Sequence, residues 1–318
     1  MKICIVKLSA FGDIVHSSVV LQFIKTHFKT AEIWWVCEDR FANLLENHAL
    51  ISGIIKLNLK DKKFIQSYKS LRNAPKFDII LDLQGLIKSA IVARILGKNI
   101  VGFDKNSIRE SLASLFYSKK IACDYSQNII IRNLTLVSKG LNFEFSKQEI
   151  LDKNPCFIYK DQKESNSEKK GILIVVGSSV KTKIYPKFTE VINSLKEYEI
   201  YLSANTKSEL EMANKISKQT HAKILKPTTL SDLAKNIRNF ALVIGADSGP
   251  THLAWAQNVP SITIYGYTPH FRNSFETSIN LTIHSGKEID PKKLDKNDFC
   301  ISKIEPKSIV NLAKELLK

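Results

Sequence analysis

Residues 1–28 read MKICIVKLSAFGDIVHSSVVLQFIKTHF, and they join the two periodicities from which an α/β protein is built. Residues 3–7 form a short apolar run of strand type. From residue 14 to 28 the apolar positions Val15, Val19, Val20, Phe23 and Ile24 return at helical spacing. Between them lies a turn carrying Gly12 and Asp13, so a carboxylate stands where the first strand passes into the first helix.

The same alternation continues along the chain. Strand-like runs recur at 32–37 (EIWWVC), 53–57 (GIIKL), 78–83 (DIILDL) and 99–103 (NIVGF), with helical candidates at 40–45, 86–96 and 107–116. Strands that alternate with helices predict a parallel sheet, and this one occupies a first domain over residues 1–150. Residues 151–170 include DQKESNSEKK, which is charged and free of apolar periodicity, as expected of a linker. The alternation resumes with GILIVV at 171–176, a strand of the fully buried type, followed by EIYLSA, AKIL, ALVIG and SITIYG. A second α/β domain therefore spans residues 171–318 and closes on an amphipathic helix over 306–318. The fold class is α/β, with two Rossmann-like domains. Ligands of such sheets lie at the carboxyl ends of the strands, which predicts a central cleft between the two domains.

A chain of 318 residues supports two domains, each with its own core. Hydrophobic residues at 44% and charged residues at 25% exclude a disordered, collagen-like or disulfide-scaffold protein. The net charge of +16 draws the protein toward polyanions, although richness in Lys, Asn and Ile also follows from genomic base composition. Only seven of the 47 basic residues are Arg, and no RNP, helix-turn-helix or zinc-finger pattern occurs, so nucleic acid is not an expected partner. Five dispersed cysteines without CxxC spacing suit reduced thiols in the cytoplasm. Neither a signal peptide nor an apolar run of about 18 residues is seen, so any membrane contact is expected to be peripheral.

Four segments carry polar residues at strand ends. In the first, KLSAFGD (7–13), Asp13 is either a helix N-cap or a general base, with Gly12 easing the turn and Ser9 beside it. In the second, GADSGPTHLA (245–254), a buried strand meets an acidic residue, small residues and a proline at a helix start. The backbone N–H groups and dipole of such a terminus favour a diphosphate. The third, GSSVKTKIYP (177–186), offers the hydroxyls of Ser178 and Ser179 and the point charge of Lys183. In the fourth, DLQGLIKS (82–89) with RESLASLFY (109–117), Gln84, Lys88 and Arg109 are candidates to meet an anionic or polyhydroxylated acceptor. Lys60, Lys62 and Lys63 lie on a loop able to reach over them, although taken one by one each reads rather as a solvated charge.

Taken together, the four segments resemble the ADP-heptose:lipopolysaccharide heptosyltransferases, glycosyltransferases of family 9 with the GT-B fold, from residue 1 to about 267. IVKLSAFGDIVH, DLQGLIKSA and RESLASLFY look like the members that attach the first heptose to Kdo-lipid A. The resemblance implies that Asp13 is the catalytic base of an inverting transfer, and that Lys183, Asp247, Ser248, Gly249, Thr251 and His252 bind ADP-heptose. Gly12 is carried with the donor set. Ser178 and Ser179 stand where the family commonly has threonines. The ribose region departs from the family pattern, reading SANTKSE at 203–209, and leaves Ser208 or Glu209 as the candidate. Tyr185 takes the place of the family aromatic.

No DxD-like pair stands beside a strand end, since Asp290 and Asp295 are too far apart, so neither metal nor other cofactor is expected. The implied partners are ADP-heptose, Kdo-lipid A and the anionic cytoplasmic face of the inner membrane, with the protein a monomer. Addition of the second heptose, use of another nucleotide-sugar, and non-catalytic polyanion binding stay open on sequence alone.

Overall fold

The computed structural model describes residues 1–161 and 169–318. The chain divides into two compact units, Met1–Gln162 and Lys163–Lys318.

In the first unit β1 (Lys2–Val6), β2 (Glu32–Glu38), β3 (Gly53–Leu57), β4 (Ile79–Asp82), β5 (Ile100–Phe103) and β6 (Lys119–Ile121) form one sheet, in the order β3-β2-β1-β4-β5-β6. Every pairing is parallel. Ile3, Cys4, Ile5 and Val6 are all fully buried, which is why β1 reads as a continuous apolar run rather than an alternating one. The order reverses between β1 and β4, where Val6 stands opposite Asp82. The connections leaving these two strands run in opposite directions, and the crevice at their carboxyl ends is the place for a site.

The second unit repeats the plan. Its strands are β7 (Lys170–Val175), β8 (Ile200–Ser203), β9 (Lys223–Ile224), β10 (Phe240–Ala246), β11 (Ser261–Tyr265) and β12 (Asn280–His284), in the order β12-β11-β10-β7-β8-β9. Here the reversal falls between β7 and β10. The core gathers Ile172, Ile174, Phe188, Leu242 and Ile262, and the closing helix Pro306–Leu316 adds Ile309, Val310 and Ala313 to it.

Several local expectations are corrected. The helix expected over 14–28 is two, Phe11–Ser18 and Val20–His27, meeting at Val19. Residues 107–116 hold only a 3-10 helix, Ser111–Phe116. The start of the expected linker belongs to the first unit, because Cys156, Phe157 and Tyr159 are buried there and Tyr159 bridges to His48. The Tyr159 hydroxyl donates to the Leu44 carbonyl at 2.9 Å. Residues 162–168 of that linker lie outside the described residues.

Candidate active site

At the carboxyl end of β1 the chain turns into the helix Phe11–Ser18, whose N-cap is Ala10. Asp13 is therefore the third helical residue and not the cap itself. Its Oδ2 accepts the backbone N–H of Ala10 at 2.9 Å, half of the reciprocal arrangement that closes a helix start. Asp13 is partly exposed, and no other hydrogen bond to its carboxylate is present among the described residues. Gly12 is helical and does not take a left-handed conformation, so the tight-turn role expected for it is not observed.

The loop before Asp13 is held from β4. Asp82 is fully buried and accepts four hydrogen bonds, from the backbone of Gln84 (2.9 Å) and Gly85 (3.2 Å), from Ser89 Oγ (2.8 Å) and from the Tyr117 hydroxyl (2.8 Å). Burial raises its pKa above the usual carboxylate range even though each of these hydrogen bonds pulls it down. Gly85 takes φ +67°, which a side chain would strain. Gln84, thus placed, accepts the N–H groups of Leu8 (3.1 Å) and Ser9 (3.3 Å) with its amide oxygen. Lys7 is buried and donates to the Leu83 carbonyl at 2.9 Å. Asp82 thus fixes Gln84, and Gln84 fixes the backbone that leads to Asp13.

The expected acceptor residues divide. Lys88 is paired with the buried Glu38 at 2.8 Å, and Glu38 also receives the Lys60 backbone N–H at 3.4 Å. The side chains of Lys60, Lys62, Lys63 and Arg109 are exposed.

In the second unit the crevice between β7 and β10 is ordered around Asp247, which is buried. Its Oδ2 accepts from Lys183 Nζ at 2.6 Å, Thr268 Oγ1 at 2.7 Å and Asn273 Nδ2 at 3.4 Å, and its Oδ1 lies 2.8 Å from His252 Nε2. Burial pushes this carboxyl upward, but the Lys183 charge and the His252 and Lys183 hydrogen bonds hold it well below the usual range. Asp247 and His252 therefore organise Lys183 rather than stand free beside it. The next helix, Gly249–Ala256, opens at Ser248 with proline in its first turn. No side chain caps this end, and Ser248 Oγ turns instead to Thr251 Oγ1 at 3.1 Å. Uncapped backbone N–H groups at a helix start attract an anion.

In the same unit Ser178, Ser179, Ser208 and Glu209 line a cavity of about 710 Å³. Glu209 Oε2 accepts the backbone N–H groups of Asn205 and Thr206, both at 2.9 Å, so the start of the helix Lys207–Ser217 holds it in place. A Cβ at Gly177, two residues past β7, would meet the Glu209 side chain and force it to shift, so glycine there leaves the carboxylate its present place. Tyr185 is buried against Phe188 and donates to the Ile304 carbonyl at 2.8 Å, which makes it a core residue.

The sequence profile of glycosyltransferase family 9 (heptosyltransferase) matches residues 65–298. Lipopolysaccharide heptosyltransferase 1 of Campylobacter coli is 44% identical, over 99% of this chain and 99% of its own length. The chain belongs to glycosyltransferase family 9. Lipopolysaccharide heptosyltransferase 1 of Escherichia coli K12 is 25% identical over 84% of this chain and 88% of its own. The solved structure of E. coli heptosyltransferase WaaC with ADP-2-deoxy-2-fluoro heptose superposes with a TM-score of 0.78 at 21% identity, covering 99% of both chains. E. coli ADP-heptose LPS heptosyltransferase II gives 0.74 at 19% identity, covering 100% and 98%. The family 9 enzyme has the GT-B architecture.

Some of its site-forming residues carried no sequence signal. Thr268 and Asn273 reach Asp247 from the segment after β11, and Phe299, Ile301 and Ser302 close the cavity from the far end of the chain. Lys181, Ile184 and Pro186 from the 177–186 segment, Thr206 from the 203–209 segment and Met212 also line it. Thr268 lies three residues past a buried strand, a position that marks it in retrospect. The 299–302 residues lie in no strand-to-helix turn, so spacing could not find them. Among the described residues no three His, Cys, Asp or Glu side chains cluster as metal ligands would.

Proposed function

We propose that this family 9 heptosyltransferase moves heptose from ADP-heptose to the Kdo of Kdo-lipid A, the first heptose of the inner core. The observation that carries the reading is the Asp247–Lys183–His252 cluster at an uncapped helix start, in the same unit as a 710 Å³ cavity lined by hydroxyls. A cation, N–H groups and hydroxyls together suit a nucleoside diphosphate. The 44% identity to the C. coli heptosyltransferase 1 supports the choice of acceptor over a second-heptose or other nucleotide-sugar role.

In this reading Asp13 removes the proton from a Kdo hydroxyl, which attacks the anomeric carbon as ADP departs, inverting the configuration. Lys183, Ser178, Ser179 and the N–H groups from Gly249 onward stabilise the growing diphosphate charge more in the transition state than in the ground state. Ser248 and Thr251 shape that helix start, and Ser208 and Glu209 meet the ribose. The positive charge for the leaving group comes from Lys183 and the helix terminus, so the reaction proceeds without a metal.

Ser9, Gln84, Lys88 and Arg109 stand on the acceptor side, with Lys60, Lys62 and Lys63 toward the anionic glycolipid and the cytoplasmic face of the membrane. No helix among the described residues is long and apolar enough to cross a bilayer. The enzyme works as a monomer. Mass spectrometry of Kdo-lipid A incubated with enzyme and ADP-heptose tests the reading. A gain of one heptose on the unheptosylated acceptor supports it, and a gain only on an acceptor that already carries heptose refutes it.

A further inference from the structure

The helix Phe64–Arg72 buries only Ser67 and Leu71 and turns its large apolar side chains to solvent. Ile65 is 76% exposed, with Phe64 and Tyr68 each more than half exposed. Positions 64, 65 and 68 share one helical face. The 3-10 helix Ser111–Phe116 does the same, with Leu115 73% and Leu112 61% exposed. A spacing of three eclipses side chains in a 3-10 helix, so these leucines form a second ridge. Both elements pack against the helix Ile87–Leu96, whose outward stripe holds Lys88, the exposed Ile91 and Arg94. The result is an apolar surface set in a basic surround, since residues 60–76 carry six Lys or Arg against the single acid Asp61.

Isolated exposed apolar residues are ordinary, but two ridges of them on elements that pack against one helix mark an interaction surface. We propose that this surface is a membrane-docking face, in which Phe64, Ile65, Tyr68, Leu112 and Leu115 enter the interfacial region of an anionic bilayer while the flanking lysines meet its headgroups. Charge selects the occupant: a strongly basic rim fits a negatively charged lipid surface and repels a second copy of the same face. Apolar insertion with lysines at headgroup level is the chemistry of an interfacial element lying in the membrane plane. The inference rests on the reading of a lipid-linked acceptor, to which such a face brings the enzyme, and it adds an apolar contribution to the electrostatic attraction of the loop lysines.

Cosedimentation with phosphatidylcholine vesicles, with and without phosphatidylglycerol, tests the proposal. The full chain should bind the anionic vesicles. The triple variant Phe64→Ser, Ile65→Ser, Tyr68→Ser and the double variant Leu112→Ser, Leu115→Ser should each lose about tenfold or more in partitioning, as expected when exposed apolar area no longer leaves water. ADP release on a water-soluble Kdo-bearing acceptor should be unchanged in both. Wild-type protein that stays in the supernatant overturns the proposal. So does equal partitioning of all three proteins, or a dimer in sedimentation velocity that the same substitutions dissociate. Vesicle binding is read without either substrate, so its failure is distinct from a failure to release ADP.

Discussion

Lys183 and Asp247 lie 64 residues apart in the chain and meet at 2.6 Å, with Asp247 buried and Lys183 still about one-fifth exposed. The carboxylate is enclosed by donors, whereas the lysine reaches the edge of the site. Asp247→Asn should destabilise the second unit by about 3 kcal/mol, the scale for breaking a buried pair, and lower turnover as Lys183 loses its anchor. Because the Asp247 pKa is depressed on folding, its stabilisation is complete above the unfolded value near 4 and is lost as pH falls through the folded value. Urea denaturation of the two proteins should therefore differ at pH 7 and converge in strong acid.

Lys183→Ala should reduce kcat by about 10²-fold or more, the scale of losing one stabiliser of departing charge, with a smaller change in donor affinity. Initial rates with saturating acceptor check this. An unchanged kcat removes Lys183 from the site.

Asp13→Asn keeps the size of the side chain and an oxygen for the Ala10 N–H, but removes the base. Turnover should fall by at least about 10²-fold, while ADP-heptose affinity measured by calorimetry stays near wild type. Equal loss of both would make Asp13 a helix-start residue only.

Much of this site follows from the alternation of strand and helix. The parallel strands were legible because β1, β7, β10 and β11 are buried, leaving unbroken apolar runs such as ICIV (3–6) and ILIVV (172–176). The strand-to-helix turns followed from them, and with them Asp13, Lys183 and Asp247. The helix Phe64–Arg72 escaped, since its apolar face points to solvent and periodicity reports burial only where an apolar face is inward. Partnership escaped as well. Lys88 reads as a free cation beside a strand end, and only folding brings Glu38 to it from 50 residues away. Gln84 reads as a ligand-binding amide, yet its oxygen holds Leu8 and Ser9.

That clamp makes Gln84 a positioning residue. Gln84→Ala leaves two backbone N–H groups without their acceptor and should lower kcat with little change in KM for ADP-heptose, whereas Gln84→Glu, which retains an accepting oxygen, should recover most of the rate. A change confined to acceptor KM would instead place the Gln84 amide on the acceptor.

His48 makes a separate, structural prediction. Its Nδ1 accepts the Leu50 N–H at 3.1 Å and its Nε2 lies 2.7 Å from the Cys156 carbonyl, an arrangement that requires the neutral ring. Burial lowers its pKa to about 4, with Lys160 adding to the effect and the Cys156 hydrogen bond opposing it. The unfolded chain takes up a proton near pH 6.5 and the folded one does not, so stability is full above that value and declines as pH falls toward 4. Between pH 7.5 and 4.5 the first unit should lose about 2.5 kcal/mol through this residue. In His48→Gln, denaturant unfolding should show that part of the pH dependence abolished.

The most direct measurement is ADP release from ADP-heptose by the purified chain, with and without Kdo-lipid A, in the presence of a chelator. Release that depends on Kdo-lipid A and survives chelation is the predicted result. Failure to bind ADP-heptose at all would contradict the account of Lys183, Asp247 and the cavity of the second unit as the donor site.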